Sequence, residues 1–195
     1  MLLVFALGNP GARYRGTRHN VGFRVLELLV ERWRAAILEA APEFRAWYAE
    51  VAGREVALVQ PLTFMNASGM ALGAWRERRS FEPGGLLVVL DDVYLPVGRL
   101  RVRARGSSGG HLGLESIESA LDSREFGRLR IGVGAAESSA ALRDHVLEEF
   151  TTEERAAAEG AVGLAADAAE CWVTEGLTAT MNRFNRKVGK EVSES

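Results

Sequence analysis

The sequence predicts an α/β fold: a single domain in which helices surround a mixed, mostly parallel β-sheet. Three observations carry that prediction. Apolar runs of strand length alternate along the chain with helical patterns. One pair of strand patterns is joined at hairpin distance, so at least one pairing is antiparallel. No repeat, low-complexity linker or break in composition marks a second domain within the 195 residues. A chain of this length, 47% hydrophobic and 26% charged, buries a substantial core. The domain is expected to span residues 1–187, with a polar, frayed tail over 188–195.

In chain order the strand patterns are Leu2 to Leu7, Phe44 to Ala52, Glu55 to Gln60, Leu86 to Leu90, Arg99 to Arg105 and Leu129 to Val133. The first is too short to cross a membrane and follows no basic segment, so it reads as a buried strand rather than an anchor or signal peptide. Helical spacing begins at Val21 and runs to Ala35, with apolar residues at Val21, Val25, Leu28, Leu29 and Trp33. Gly53 with Arg54 joins the second and third strand patterns. Shorter helical patterns cover Ala67 to Arg79, Leu112 to Leu121 and Ser138 to Leu147. From Thr152 to Gly176 the chain is Ala-rich, and Thr152 with Glu153 and Glu154 suits a helix start, where a hydroxyl and carboxylates meet unpaired N–H groups.

Cys171 is the only cysteine, which excludes an intramolecular disulfide, and histidines at 19, 111 and 145 give no zinc-site spacing. A cytoplasmic protein without metal or cofactor is the default. The net charge of −2 offers no general argument for a nucleic-acid partner. Distribution says more. Acidic residues gather at Glu148, Glu149, Glu153, Glu154 and Glu159, whereas Arg99, Arg101, Arg103 and Arg105 recur at every second position. In a strand that period puts four guanidinium groups on one face, with Leu100, Val102 and Ala104 on the other. Phosphate would compensate such a row; nearby carboxylates on a solvated face would do so equally.

Directly after the first strand, Gly8-Asn9-Pro10-Gly11 dictates a sharp turn, and Tyr14 and Thr17-Arg18-His19-Asn20 precede the first helix. By itself the turn is a connector. Strand-end loops are nevertheless where α/β proteins place ligands, and an amide, an aromatic ring, a hydroxyl and an imidazole lie within a dozen residues. His19 alone would read as a capping or hydrogen-bonded histidine. In Pro61 to Gly69, Asn66 could cap the next helix, and Met65 could line a pocket or fill the core. Asp91-Asp92 ends a buried strand pattern, where an Asp can start a turn, ligate a metal or accept a hydrogen bond from a histidine. The last reading is preferred, since no other metal ligands are evident.

Gly8-Asn9-Pro10-Gly11, Tyr14 and Thr17-Arg18-His19-Asn20, with Gly22-Phe23, closely resemble the opening signature of bacterial peptidyl-tRNA hydrolases. The resemblance continues in order through Pro61 to Gly69, through Asp91-Asp92 with Leu95-Pro96 and Gly98, through the glycine-rich Gly106 to Gly113, and through Arg128 to Gly132. Five ordered motifs over about 130 residues are far more specific than one short motif. Cys171-Trp172, Glu175 to Leu177 and Asn182 to Asn185 are similar to the family's C-terminal region.

The resemblance implies the family's α/β fold and hydrolysis of the ester between a peptide and the 3′ end of tRNA, by a monomer without cofactor or membrane partner. It makes His19 the base that activates water and Asp91 its orienting partner, with no covalent intermediate. It sets Asn9 and Asn66 beside the site as donors to the ester oxygen, and Tyr14 and Met65 as pocket walls. It assigns Arg103 and Arg130 to the tRNA 5′-phosphate, so the period of two and the resemblance converge on Arg103. Two positions depart from the family's pattern. Leu112 occupies the substrate-site position where the family usually has asparagine, and Tyr94 stands where an acidic residue is common. Neither alters His19 or Asp91.

Three other readings compete. An RNA-binding protein of the same fold, such as the related chloroplast splicing factors, would lack hydrolysis; intact His19, Asp91, Asn9 and Asn66 argue against it, and Leu112 leaves it some room. A nucleotide-dependent enzyme would need more than Gly132-Val133-Gly134, because Glu137 stands in place of the third glycine of the fingerprint. A serine hydrolase would need a nucleophile elbow around Ser107 or Ser108, and that pattern is missing.

Overall fold

Among the described residues, which are 1–81, 83–136, 138 and 140–185, the computed structural model holds one sheet of seven strands. These are β1 (Leu2–Ala6), β2 (Ala36–Ala40), β3 (Phe44–Val51), β4 (Arg54–Pro61), β5 (Leu86–Asp92), β6 (Leu100–Arg103) and β7 (Gly127–Gly132). The helices are α1 (Val21–Arg32), α2 (Ser68–Arg78), α3 (Leu112–Leu121), α4 (Leu142–Leu147), α5 (Thr152–Glu175) and α6 (Leu177–Phe184). The tail expected over 188–195, and its boundary at 187, lie outside the described residues.

The spatial order is β2-β3-β4-β1-β5-β7-β6. The central strands β4, β1, β5 and β7 run parallel, and β2, β3 and β6 join antiparallel at the two sides. Strand alternation explains the layers. Val4 and Ala6 of β1 face α1 and α5, whereas Leu3, Phe5 and then Leu7 face α2 and α3. A strand covered on both faces must be apolar throughout, as β1 and most of β5 are. Each fully buried Leu, Val or Phe contributes roughly 1.5–3 kcal/mol. The α/β class with helices around a mixed sheet therefore holds.

Local chemistry sets the element ends. Ala52 and Gly53, with φ of 50° and 74°, make the two-residue turn between β3 and β4; positive φ at both positions suits the twist of a hairpin. Helix α5 is capped one residue earlier than expected: Thr151 Oγ1 accepts the Glu154 N–H, and the Glu154 carboxylate accepts the Thr151 N–H. Thr152 is thus the first helical residue, not the cap. The small side chains of Ala161, Ala165, Ala168 and Ala169 let α5 pack closely in the core shared with α1.

Five elements differ from expectation. Helix α1 ends at Arg32, because Arg34 turns the chain at φ 50° into β2, an edge strand whose short, mostly exposed sequence shows no clean alternation. Strand β6 holds only Arg101 and Arg103 of the four alternating arginines. Helix α4 starts at Leu142 rather than Ser138, and α6 follows α5 directly across Gly176.

Topology then places a crevice. The chain leaving β1 returns to the sheet beside it as β4, on one side, whereas the chain leaving β5 returns as β7, on the other. The carboxyl ends of the adjacent strands β1 and β5 therefore flank a switch point, where open α/β sheets bind ligands.

Candidate active site

At that point α1 comes unusually close to the sheet. A Cβ on Gly22 would lie 2.5 Å from the Leu7 carbonyl oxygen and 2.8 Å from that of Val89, so only glycine permits the approach. Asn20 ties the preceding loop to β1's end: its Oδ1 accepts the Asn9 N–H at 2.8 Å and its Nδ2 donates to the Asn9 carbonyl at 2.9 Å. From the other side, buried Arg18 donates to the Glu149 carbonyl at 2.7 Å and to the Glu154 carboxylate at 2.6 Å. Between these anchors His19 sits in a single 3-10 turn, Arg18–Asn20.

Asp91, at the end of β5 and 2% exposed, faces that turn. His19 Nδ1 lies 2.8 and 2.9 Å from its two carboxylate oxygens, which leaves the ring's other nitrogen, Nε2, for the cavity. A second imidazole uses the same carboxylate. His111 Nε2 is 2.9 Å from Asp91 Oδ1, while its Nδ1 accepts the Leu114 N–H at 3.3 Å as the cap of α3. Because Nδ1 accepts, the proton of His111 sits on Nε2 and is donated to Asp91. Sequence reasoning placed His111 only within a glycine-rich loop; its position just before a helical pattern was the one available signal.

Burial acts against ionisation at both members of the His19–Asp91 pair, and charge overcomes it. Desolvation would lower the His19 pKa, but the negative charge of Asp91 and the hydrogen bond to it raise it above the ordinary 6.5. Desolvation would raise the Asp91 pKa, but the two neighbouring imidazoles hold it well below the usual carboxylate range.

Asp92 has a different environment. Its Oδ1 accepts the Tyr94 N–H at 2.8 Å, starting the turn after β5, and its Oδ2 pairs with Arg130 at 3.3 Å. The two aspartates therefore do not converge on one point. Among the described residues, the group with the spacing to hold a metal ion is His19, Asp91 and His111, whose donor atoms lie within 4.8 Å of one another. The 2.8 to 2.9 Å contacts among them are hydrogen bonds.

A cavity of about 730 Å³ opens over this network, and Asn9, Tyr14, Met65, Asn66 and Leu112 all line it. Asn9 Oδ1 accepts the Met65 N–H at 2.9 Å, which turns the amide NH₂ of Asn9 toward the opening. Asn66 is exposed and does not cap α2; the residue at that cap is Ala67, with no side-chain hydrogen bond. Met65 both lines the cavity and fills the core, its Sδ lying 2.5 Å from where a Cβ on Gly113 would be. Tyr14 meets Phe64 edge to face at 6.4 Å, and the Arg13 guanidinium lies over its ring. Helix α4 supplies Leu142, Arg143 and Val146 to the rim and is tied down by His145 Nε2, 2.9 Å from the Gly134 carbonyl oxygen.

The arginines divide. Arg130 borders the cavity, 12% exposed, and donates to Asp92 and to the Ser107 and Ser108 carbonyls at 2.9 and 3.2 Å. Arg103 is exposed on β6 opposite Arg128, on the sheet face that Arg130 shares one step along the ladder. Arg101 is directly opposite Arg130. Arg105 lies 3.9 Å from Glu125, whereas neither Arg101 nor Arg103 forms an ion pair with a described residue.

The sequence pattern of the family described as Peptidyl-tRNA hydrolase matches residues 3–192. A protein named peptidyl-tRNA hydrolase from Chloroflexus aggregans is 45% identical over 186 residues, covering 95% of this chain and 99% of its own. One of the same name from Bacillus subtilis is 40% identical over 190 residues, covering 96% and 100%. The crystal structure of peptidyl-tRNA hydrolase from Acinetobacter baumannii matches with a TM-score of 0.89 at 30% identity, over 95% of this chain and 94% of that one.

Proposed function

The chain belongs to the peptidyl-tRNA hydrolase family, and from that premise we propose how its site performs the reaction, with His19 as general base and Asp91 as the carboxylate that orients it. The reaction is hydrolysis of the ester between a peptide and the 3′-terminal ribose of tRNA, which makes the protein a carboxylic ester hydrolase. One observation carries the assignment of roles: both Asp91 oxygens meet His19 Nδ1, so Nε2 is the free nitrogen.

Nε2 takes a proton as water attacks the ester carbonyl, a contribution of roughly 10²–10⁴-fold for a positioned base. Asp91 favours the imidazolium that forms. The amides of Asn9 and Asn66 donate to the oxygen on which negative charge builds, each worth about 10²-fold or more. When the tetrahedral intermediate collapses, the carbon–oxygen bond to the ribose breaks and the imidazolium returns its proton to the departing oxygen. Peptide acid and tRNA with a free hydroxyl leave. Tyr14 and Met65 wall the pocket, and Arg103 and Arg130 take the tRNA 5′-phosphate, Arg103 from the open edge of the sheet. A monomer suffices for this scheme, since every group in it comes from one chain, and a substrate that arises in translation supports a cytoplasmic site of action.

The test is cleavage of an N-acetyl-aminoacyl-tRNA by the purified protein without added metal. Release of the acyl amino acid is expected, with His19→Ala slowing it about 10³-fold or more while tRNA binding persists. Binding without cleavage by the unaltered protein would favour the non-catalytic RNA-binding reading. Loss of activity to a chelator and its return with a metal would make His19, Asp91 and His111 a metal site.

A further inference from the structure

Phe64, Tyr94 and Leu112 are 55%, 68% and 56% exposed, and all three border the one cavity that holds His19. Large apolar side chains gathered at the mouth of a cleft are costly in water unless a ligand covers them. Leu112 opens α3 immediately after His111, whose Nε2 is 2.9 Å from the carboxylate that orients His19. It is therefore one residue from the base network. The close packing of Met65 Sδ on Gly113 draws Phe64-Met65-Asn66 alongside the start of α3. Phe64, Met65 and Leu112 thus make one uncharged wall, with the Asn66 amide beside it. The cations that border the cavity, Arg130 and Arg143, come from β7 and α4 instead.

The scissile carbonyl carbon carries two branches, a ribose oxygen leading to phosphodiesters and the Cα of the last amino acid. An uncharged wall next to the amide that meets the ester oxygen suits the second branch. We infer that Leu112, with Phe64 and Met65, forms a subsite for the side chain of the tRNA-linked amino acid and makes the protein favour substrates in which that residue is apolar. This rests on the proposed function and names the substrate class of the same site.

The experiment measures kcat/KM on one tRNA body acylated either with N-acetyl-leucine or with N-acetyl-aspartate. The unaltered protein is expected to favour leucine about tenfold or more, because the aspartate carboxylate, close to leucine in size, would lose water against an uncharged wall without gaining a partner. Leu112→Asn and Leu112→Ala should bring the ratio toward one, and Leu112→Met should largely retain it. Because Leu112 is exposed, an unchanged melting temperature is expected and would show that the variants remain folded. A ratio unmoved by Leu112→Asn would overturn the subsite. Equal losses on both substrates would also overturn it, placing Leu112 against the tRNA terminus instead. If neither substrate is cleaved by the unaltered protein, the hydrolytic reading fails and the subsite with it, whereas cleavage without preference removes the subsite alone.

Discussion

A carboxylate as buried as Asp91 stays ionised only when hydrogen-bond donors surround it, and two imidazoles supply them here. The consequence is a pH profile. His19 must be neutral to accept a proton, and Asp91 raises its pKa above 6.5, so kcat/KM should rise with pH through a midpoint above that value. Asp91→Asn removes the raising charge and leaves the desolvation that lowers the pKa. The midpoint should then fall below 6.5 while turnover drops roughly 10²–10⁴-fold. An acid limb that does not move would mean that another group titrates. At this scale His19 and Asp91 were legible through the family resemblance of the motifs around them, because a histidine before a helix reads by itself as a cap and an Asp at a strand end as the start of a turn. His111 was not, since its bond to Asp91 spans 20 residues and depends on where α3 starts.

Elements place those residues, and Gly22 is where the placement is tightest. Gly22→Ala would drive a methyl group into two backbone carbonyl oxygens that neither β1 nor β5 can move. Overpacking of this kind costs about 2 kcal/mol, equivalent to a fall of roughly 4–8 °C in Tm, and it should also lower kcat by shifting His19 away from Asp91. Thermal unfolding followed by circular dichroism, beside the hydrolysis assay, checks both effects; an unchanged Tm would mean that the α1 approach is not constrained. Strongly patterned elements such as β1, β5 and α5 were legible because burial imposes a period on the sequence. Strand β2 was not, because an edge strand with one partner needs little apolar content; α4 was legible but its start was not, because a helix of 6 residues is too short for periodicity to fix its ends.

For the whole molecule, a net charge of −2 means that attraction to tRNA must be local. Arg101 and Arg103, exposed on the edge strand, supply such a local field. Arg103→Ala should raise KM several-fold with little change in kcat, and should flatten the dependence of KM on salt by about one phosphate contact. Titrating KM against salt for both proteins is the check; parallel slopes and an unchanged KM would remove Arg103 from the phosphate site. Of the four alternating arginines, Arg105 has a nearby carboxylate, that of Glu125, in place of a phosphate.

By itself the sequence determined the α/β class, the family, and the identity of the histidine and aspartate that meet at the switch point. The class follows from local rules, since burial writes periodicity into strands and helices and glycine, proline and asparagine mark the turns between them; the family and the His19–Asp91 pair follow from the resemblance of several motifs in order. Tertiary structure alone decided that one carboxylate serves two imidazoles, that Asn9 turns its NH₂ to the cavity, and that Leu112 shares a wall with Phe64 and Met65. Each of these depends on distances between segments far apart in the chain, which packing sets and no local pattern encodes.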